Sequence, residues 1–283
     1  MKITDTFDRI PGLFAGGQFS MERWKTYARS IHPGLEKLCT DDMNEVLATG
    51  SYNWEKDFLP VLNGVFTGWD KCCKAHESFL SAVNGLEQRL LDRFGRTPDA
   101  EIILYLGLCS GAGWVTELDG KTVILLGLEK IAELDWCSLH SMYGLIYHEL
   151  GHVYQAQYGV LERDGLEGAK AFLWQLFTEG IAMVFEQELA GEPEGYHQYD
   201  GAWKAWCDGH FDQIQRDFAA DLPSMTAANQ RWFGDWVRYE GRGDVGYYLG
   251  CRFVRFILER YAFDDILSFE IEQVESLFNE FIS

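Results

Sequence analysis

Between Phe19 and Phe94 the apolar residues recur at helical spacing, as in Phe58, Leu62, Val65, Phe66 and Trp69, then Phe79, Val83, Leu86, Leu90 and Leu91. Residues three and four apart share one side of a helix, so several helices are predicted across this stretch. At Glu101 the period shortens. EIILYLGL reads as a short buried strand, and WVTEL and KTVILL are strand-like runs joined by Asp119-Gly120. Both turn residues tolerate the positive φ of a type I′ turn, which makes Asp-Gly a strong hairpin signal. A small antiparallel sheet is expected at about 101–127.

Beyond Ser138 the helical period returns and holds to the end, with helices expected near 138–157, 166–189, 198–218, 228–239, 246–262 and 268–282. Helices, a small sheet, then helices again is an α+β order, predominantly α-helical, with the sheet segregated. The expected division is a helical N-terminal lobe over 1–98 and a mixed lobe over 99–283, although neither a Pro-rich linker nor a repeat marks the boundary.

Composition removes whole classes of function. Of 283 residues, 44 are acidic and 24 are Lys or Arg, a formal charge of −20, while 47% are hydrophobic. That is enough apolar surface for a core, unlike the composition of disordered chains. Nucleic-acid binding rests on basic side chains that neutralise phosphates, so no nucleic-acid partner is expected, and no membrane partner for the same reason. The seven cysteines are scattered, odd in number and without a CxxC pair, which reads as reduced thiols. Asp5 and Asp8 interrupt the stretch where a signal peptide would be apolar, and no segment reaches the roughly 18 apolar residues that span a bilayer. A cytoplasmic protein is the expectation. Nine acids between Glu186 and Asp221 face only Lys204 and Arg216, and six acids after Tyr261 face no base. A solvated surface is the simpler account of these blocks; the sharper one is that the first borders a cleft and favours cationic peptides.

The sharpest chemical signal is His148-Glu149-Leu150-Gly151-His152. On a helix, positions i and i+4 lie on one face a turn apart, so both imidazoles reach one metal ion. Glu149 projects about 100° away from His148, where it can serve a metal-bound water without being a ligand. This is the H-E-x-x-H layout of zinc metallopeptidases. Leu145, Ile146, Tyr147, Leu150 and Val153 surround it, so its polar groups are predicted to be partly buried and in need of partners.

A catalytic zinc has three protein ligands and an open position. Gln155 and Tyr158 stand where the metzincin continuation would have Gly and His, which excludes that class. In AKAFLWQLFTEGIAMVFEQELAG a long apolar run is broken by Thr178-Glu179-Gly180. A carboxylate among Phe172, Leu176, Phe177, Ile181 and Met183 is costly unless it meets a cation. Zinc supplies one, with Gly180 and Ala182 leaving room for a close helix approach; a core Arg is the competing partner. His197 and His210 are alternative third ligands, in a region expected to be polar and exposed.

With these residues the chain resembles the gluzincin class of zinc metallopeptidases, in which Glu from a following helix completes H-E-x-x-H. Glu179-Gly180-x-Ala182, the upstream hairpin and Gly246-Tyr247-Tyr248-Leu249-Gly250 look like an uncharacterised family of predicted zinc-dependent proteases, a likeness over roughly 100–260. The 26 residues between His152 and Glu179 exceed the gap usual in thermolysin-like members. The resemblance implies one Zn²⁺ per chain on His148, His152 and Glu179, Glu149 as general base, and a peptide or protein substrate. Tyr247 or Tyr248 fits as an oxyanion donor, against the alternative of ordinary packing tyrosines. In gluzincins an edge strand beside the zinc pairs with substrate backbone, a role open here to Gly113–Leu118 or Lys121–Leu126. The rival functions are a catalytically silent zinc-binding or regulatory protein, and a zinc hydrolase acting on a non-peptide amide or ester.

Overall fold

A computed structural model of the chain describes residues 1–197, 201–234 and 236–283. The chain divides into two compact units, Met1–Glu149 and Leu150–Ser283. In chain order the first unit holds β1 (Lys2–Asp5), a 3₁₀ segment (Phe7–Leu13), the two-residue strands β2 (Phe14–Ala15) and β3 (Gln18–Phe19), and helices α1 (Met21–Ile31) and α2 (Leu35–Ala48). A π-helical turn (Trp54–Phe58) leads into α3 (Leu59–Thr67), α4 (Trp69–Val83) and α5 (Leu86–Phe94). Then come β4 (Glu101–Tyr105), β5 (Gly113–Leu118), β6 (Lys121–Gly127), α6 (Leu128–Glu133) and the first half of α7 (Leu139–Tyr158). The second unit takes the rest of α7, then α8 (Ala169–Ala190), α9 (Gly201–Gly209), α10 (Phe211–Asp221), a 3₁₀ turn (Leu222–Ser224), α11 (Val245–Leu258), α12 (Phe263–Ile266) and α13 (Ile271–Phe281). The fold is α+β and mostly helical, as the periodicity predicts. No helix among the described residues is long and apolar enough to cross a membrane.

The main sheet has the order β1-β4-β6-β5. It is mixed, which corrects the expected antiparallel sheet: β4 runs parallel to both β1 and β6, and only β5 and β6 are antiparallel. Burial explains the order. Val123–Leu126 of β6 and Ile102–Tyr105 of β4 are buried throughout, so these strands take the centre. The more polar β1 and β5 take the edges, where part of each strand faces water. After β4 the chain crosses to the far edge as β5, and the hairpin brings β6 back into the gap, necessarily parallel to β4. Asp119 at φ 50° and Gly120 at φ 73° form the turn, as the Asp-Gly signal predicts.

The expected boundary at 98/99 does not coincide with the division of the chain. Lys2–Asp5 pairs in register with Glu101–Leu104, and α3 and α4 pack on α6, so the N-terminal helices and the sheet share a core around Trp24, Phe79 and Tyr105. Four residues with one facing half-inward carry too little pattern to announce β1; its partner strand makes it.

In the second unit the core gathers Phe177, Phe185, Phe218, Trp232, Tyr239 and Phe253. The helix expected near 198–218 is two, α9 and α10, parted at His210, while residues 198–200 lie outside the described residues. The helix expected near 228–239 is absent from the described residues there. The Gln230 side chain accepts from the amides of Trp232 and Phe233 at 2.9 and 3.0 Å, and Gly234 takes φ 103°, outside any helix. Buried Trp232 and Phe233 imitate the helical period without forming one.

Helices α8 and α11 pack closely at two glycines. A Cβ on Gly180 would collide with the Gly250 carbonyl, and one on Gly250 would lie 2.5 Å from the Leu176 carbonyl oxygen. Gly180→Ala is therefore expected to lower unfolding free energy by about 1–3 kcal/mol through overpacking. Gly64→Ala in α3, where a Cβ meets nothing within 4 Å, is expected to be neutral or stabilising by about 0.5–1 kcal/mol. Urea denaturation midpoints of the two variants check this.

Candidate metal centre

Helix α7 opens at Ser138, whose hydroxyl oxygen accepts the Ser141 amide at 3.1 Å; such a side chain satisfies an N–H that has no helical acceptor. Met142, Leu145, Ile146, Leu150 and Val153 are buried along it. His148 is buried among them, and Glu149 and His152 are half-buried. The histidines stand one turn apart on one face, as their spacing dictates.

Helix α8 brings the third group. From Leu176 to Gln187 every residue is buried except Glu179. Its Oε2 lies 3.3 Å from His152 Nε2, the two side chains being 15% and 16% exposed. His148, His152 and Glu179 each offer a ligand atom within 4.8 Å of the others, and among the described residues no other group of three or more His, Cys, Asp or Glu side chains gathers so closely. Glu179 thus pairs with His152, the residue the zinc reading requires.

The helix crossing makes this proximity possible. A Cβ on Gly151 would stand 2.8 Å from Ala182 Cα and 3.2 Å from the Ala182 oxygen, so backbones meet there with no side chain between them. Gly151 is next to His152 and Ala182 is one turn beyond Glu179. The expectation that Gly180 and Ala182 both admit the His helix needs correcting: Ala182 does so, whereas Gly180 faces α11.

The donor set, two imidazole nitrogens and one carboxylate oxygen, is one that catalytic zinc takes with a position to spare. Zinc bonds of about 2.0–2.1 Å in a tetrahedron set neighbouring donors about 3.3–3.4 Å apart. The His152–Glu179 separation matches that, and it exceeds the 2.8 Å of the buried His197–Glu186 pair. The donor chemistry of the three residues and the His152–Glu179 separation fit a zinc ion.

Glu149 meets the edge of the sheet. A Cβ on Gly113, the first residue of β5, would lie 2.7 Å from Leu145 Cδ1 and 3.2 Å from Glu149 Cγ and Oε1. Of the two strands considered, β5 is the edge and β6 is central. Sequence reasoning missed Gly113 and Gly151 because a glycine made necessary by close approach has no local signature.

Other expectations sort differently. His197 is buried, not exposed, and its Nδ1 pairs with Glu186. His210 stacks on Trp206 at 4.3 Å and its Nδ1 lies 2.7 Å from the Trp206 carbonyl. Neither belongs to the three-residue group. Tyr248 is buried and donates its hydroxyl to Asp208 at 2.8 Å; burial and that carboxylate hold the phenol well above its ordinary pKa. Tyr247 is half-buried, edge-on to Phe233, and one turn before Gly250. The acidic block is only partly open surface: Asp217 accepts from Tyr239, and Asp221 from Arg231 and Trp232.

Comparison of the chain with protein-family models, with curated proteins and with solved structures finds no match.

Tyr248→Phe is expected to leave metal binding unchanged and to lower unfolding free energy by about 1 kcal/mol. This is the low end for a bond to a charged group, because Asp208 also keeps Lys204. Zinc titration beside urea denaturation measures both.

Proposed function

We propose that this chain is a zinc-dependent peptidase of gluzincin type, with His148, His152 and Glu179 holding the metal and Glu149 acting as general base. The observation that carries the reading is Glu179. It is separated from the H-E-x-x-H motif by 26 residues and lies in an otherwise buried stretch of helix, at a metal donor's spacing from His152.

When bound, zinc lowers the pKa of a water toward neutrality and polarises a substrate carbonyl. The chain's own residues supply the rest. Glu149, half-buried and adjacent to the edge strand, takes a proton from the attacking water and returns it to the leaving amine. His148 and His152 are held by one rigid helix, so their spacing needs no reorganisation when a metal enters. Strand β5 is the edge of the sheet, where extended peptide would add as a further strand with its register beginning beside Glu149. Of the two tyrosines considered as oxyanion donors, Tyr248 gives its hydroxyl to Asp208, and Tyr247 is the one proposed for the role.

Metal analysis of the purified chain should give about one zinc, retained in Glu149→Gln with peptide cleavage reduced on the order of 10²–10⁴-fold. Glu179→Ala should lose most of its zinc. Full zinc retention in that variant removes Glu179 from the ligand set, and undiminished cleavage by Glu149→Gln overturns the mechanism. A peptide library against an ester and amide panel separates peptidase from other hydrolase chemistry; zinc without turnover of either favours the silent metalloprotein.

A further inference from the structure

Glu129, the second residue of α6, is only 1% exposed, and none of the chemistry above uses it. Its Oε2 accepts the Gly107 amide at 2.7 Å and its Oε1 the Cys109 amide at 3.0 Å. Both donors belong to the connection between β4 and β5. Two glycines make space for the carboxyl: a Cβ on Gly107 would lie 2.5 Å from Oε1, and one on Gly127 would lie 3.3 Å from it. The preceding residue is held as firmly. The Leu106 amide donates to Tyr27 Oη at 2.9 Å, and its carbonyl accepts from Trp24 Nε1 at 2.8 Å.

This connection is costly to fix. Cys109 sits at φ 65°, a left-handed conformation that a residue with a Cβ adopts only under restraint. Burial pushes the Glu129 carboxyl above its ordinary range, while the amides it receives pull it back. An apolar side chain would avoid that cost but leave two amide groups without this acceptor. What the connection delivers is the start of β5: Gly113 against Leu145 and Glu149, then Trp114, whose indole donates to Tyr105 Oη at 3.3 Å.

We infer that Glu129 is a positioning residue whose carboxyl fixes the β4–β5 connection and thereby sets the edge strand beside Glu149 on which substrate would lie. The substrate part rests on the peptidase reading; the positioning part does not. It also gives the N-terminal helices a role, since Trp24 and Tyr27 of α1 hold the same connection.

Glu129→Gln keeps the side chain's size but turns one acceptor oxygen into a donor that faces a donor. Hydrogen–deuterium exchange on the full chain is expected to show about ten-fold faster exchange at 107–118, with α4 and residues 150–283 unchanged and about one zinc retained. On a cleaved peptide, KM should rise about ten-fold with kcat within about three-fold of wild type. Glu129→Ala should exaggerate these effects; if it does not fold, Glu129→Gln still decides. Unchanged exchange at 107–118 overturns the inference, as does a uniform loss of protection across 1–149, the mark of general destabilisation. Faster exchange in β5 with an unaltered KM overturns the link to substrate. Faster β5 exchange in a chain that neither binds zinc nor cleaves peptide upholds the positioning role and removes the peptidase reading instead.

Discussion

Backbone-to-backbone contact of helix α8 with its neighbours is the constraint on which the candidate centre depends. On one side Ala182 lies against Gly151 of α7; on another Gly180 lies against Gly250 of α11. Each contact tolerates no added carbon without movement, so α8 has little freedom to slide or rotate. Glu179 immediately precedes Gly180 and lies one turn before Ala182, the residues that make these contacts, and its depth and direction are set by them. A carboxylate on a loop could approach His152 as closely, but it would lose more entropy on meeting a metal and define the position less well.

The E-G-x-A phrase thus carries three separate jobs in four positions. Glu179 presents the carboxylate, Gly180 admits α11 and Ala182 admits α7. A helix turns about 100° per residue, so consecutive residues serve different neighbours, and a short conspicuous phrase is what a helix gripped from two sides must contain. The same logic accounts for Gly250 in the G-Y-Y-x-G phrase, which is packing for α8. Gly246 lies instead against the Phe233 ring.

Most of the helical fold and the first two members of the centre were legible because their signals are local. The periodicity of α7 and α8, the Asp119-Gly120 turn and the spacing of His148 and His152 each follow from a few consecutive residues. What was not legible depends on partners distant in sequence. The parallel pairing of β4 with β1 and β6 follows from competition among strands for the buried centre, which no single strand encodes. Trp232 and Phe233 have a helix-like spacing, yet the side chain of Gln230 and the φ of Gly234 decide against a helix. The burial of His197 follows from Glu186, eleven residues away on α8. Glu129 read as one more acid among 44, because its two amide donors lie about twenty positions earlier.

Three carboxylates in apolar helices show three ways of meeting the same cost. Glu129 is sealed and takes two backbone amides. Glu186 is sealed and takes one imidazole at 2.8 Å, with both side chains at 5% exposure or less. Glu179 differs from both: its imidazole partner is 3.3 Å away, and the two side chains keep 15% and 16% of their surface. A structural pair gains by closing the distance and excluding water, as Glu186 and His197 do, since the interaction strengthens as the local dielectric falls. A site that must admit an ion and then a reactant needs the opposite, with donors apart by the width of a coordination edge and a face left open. By that physical distinction, and not by the excess of acids, Glu179 is the carboxylate to which the proposed chemistry belongs.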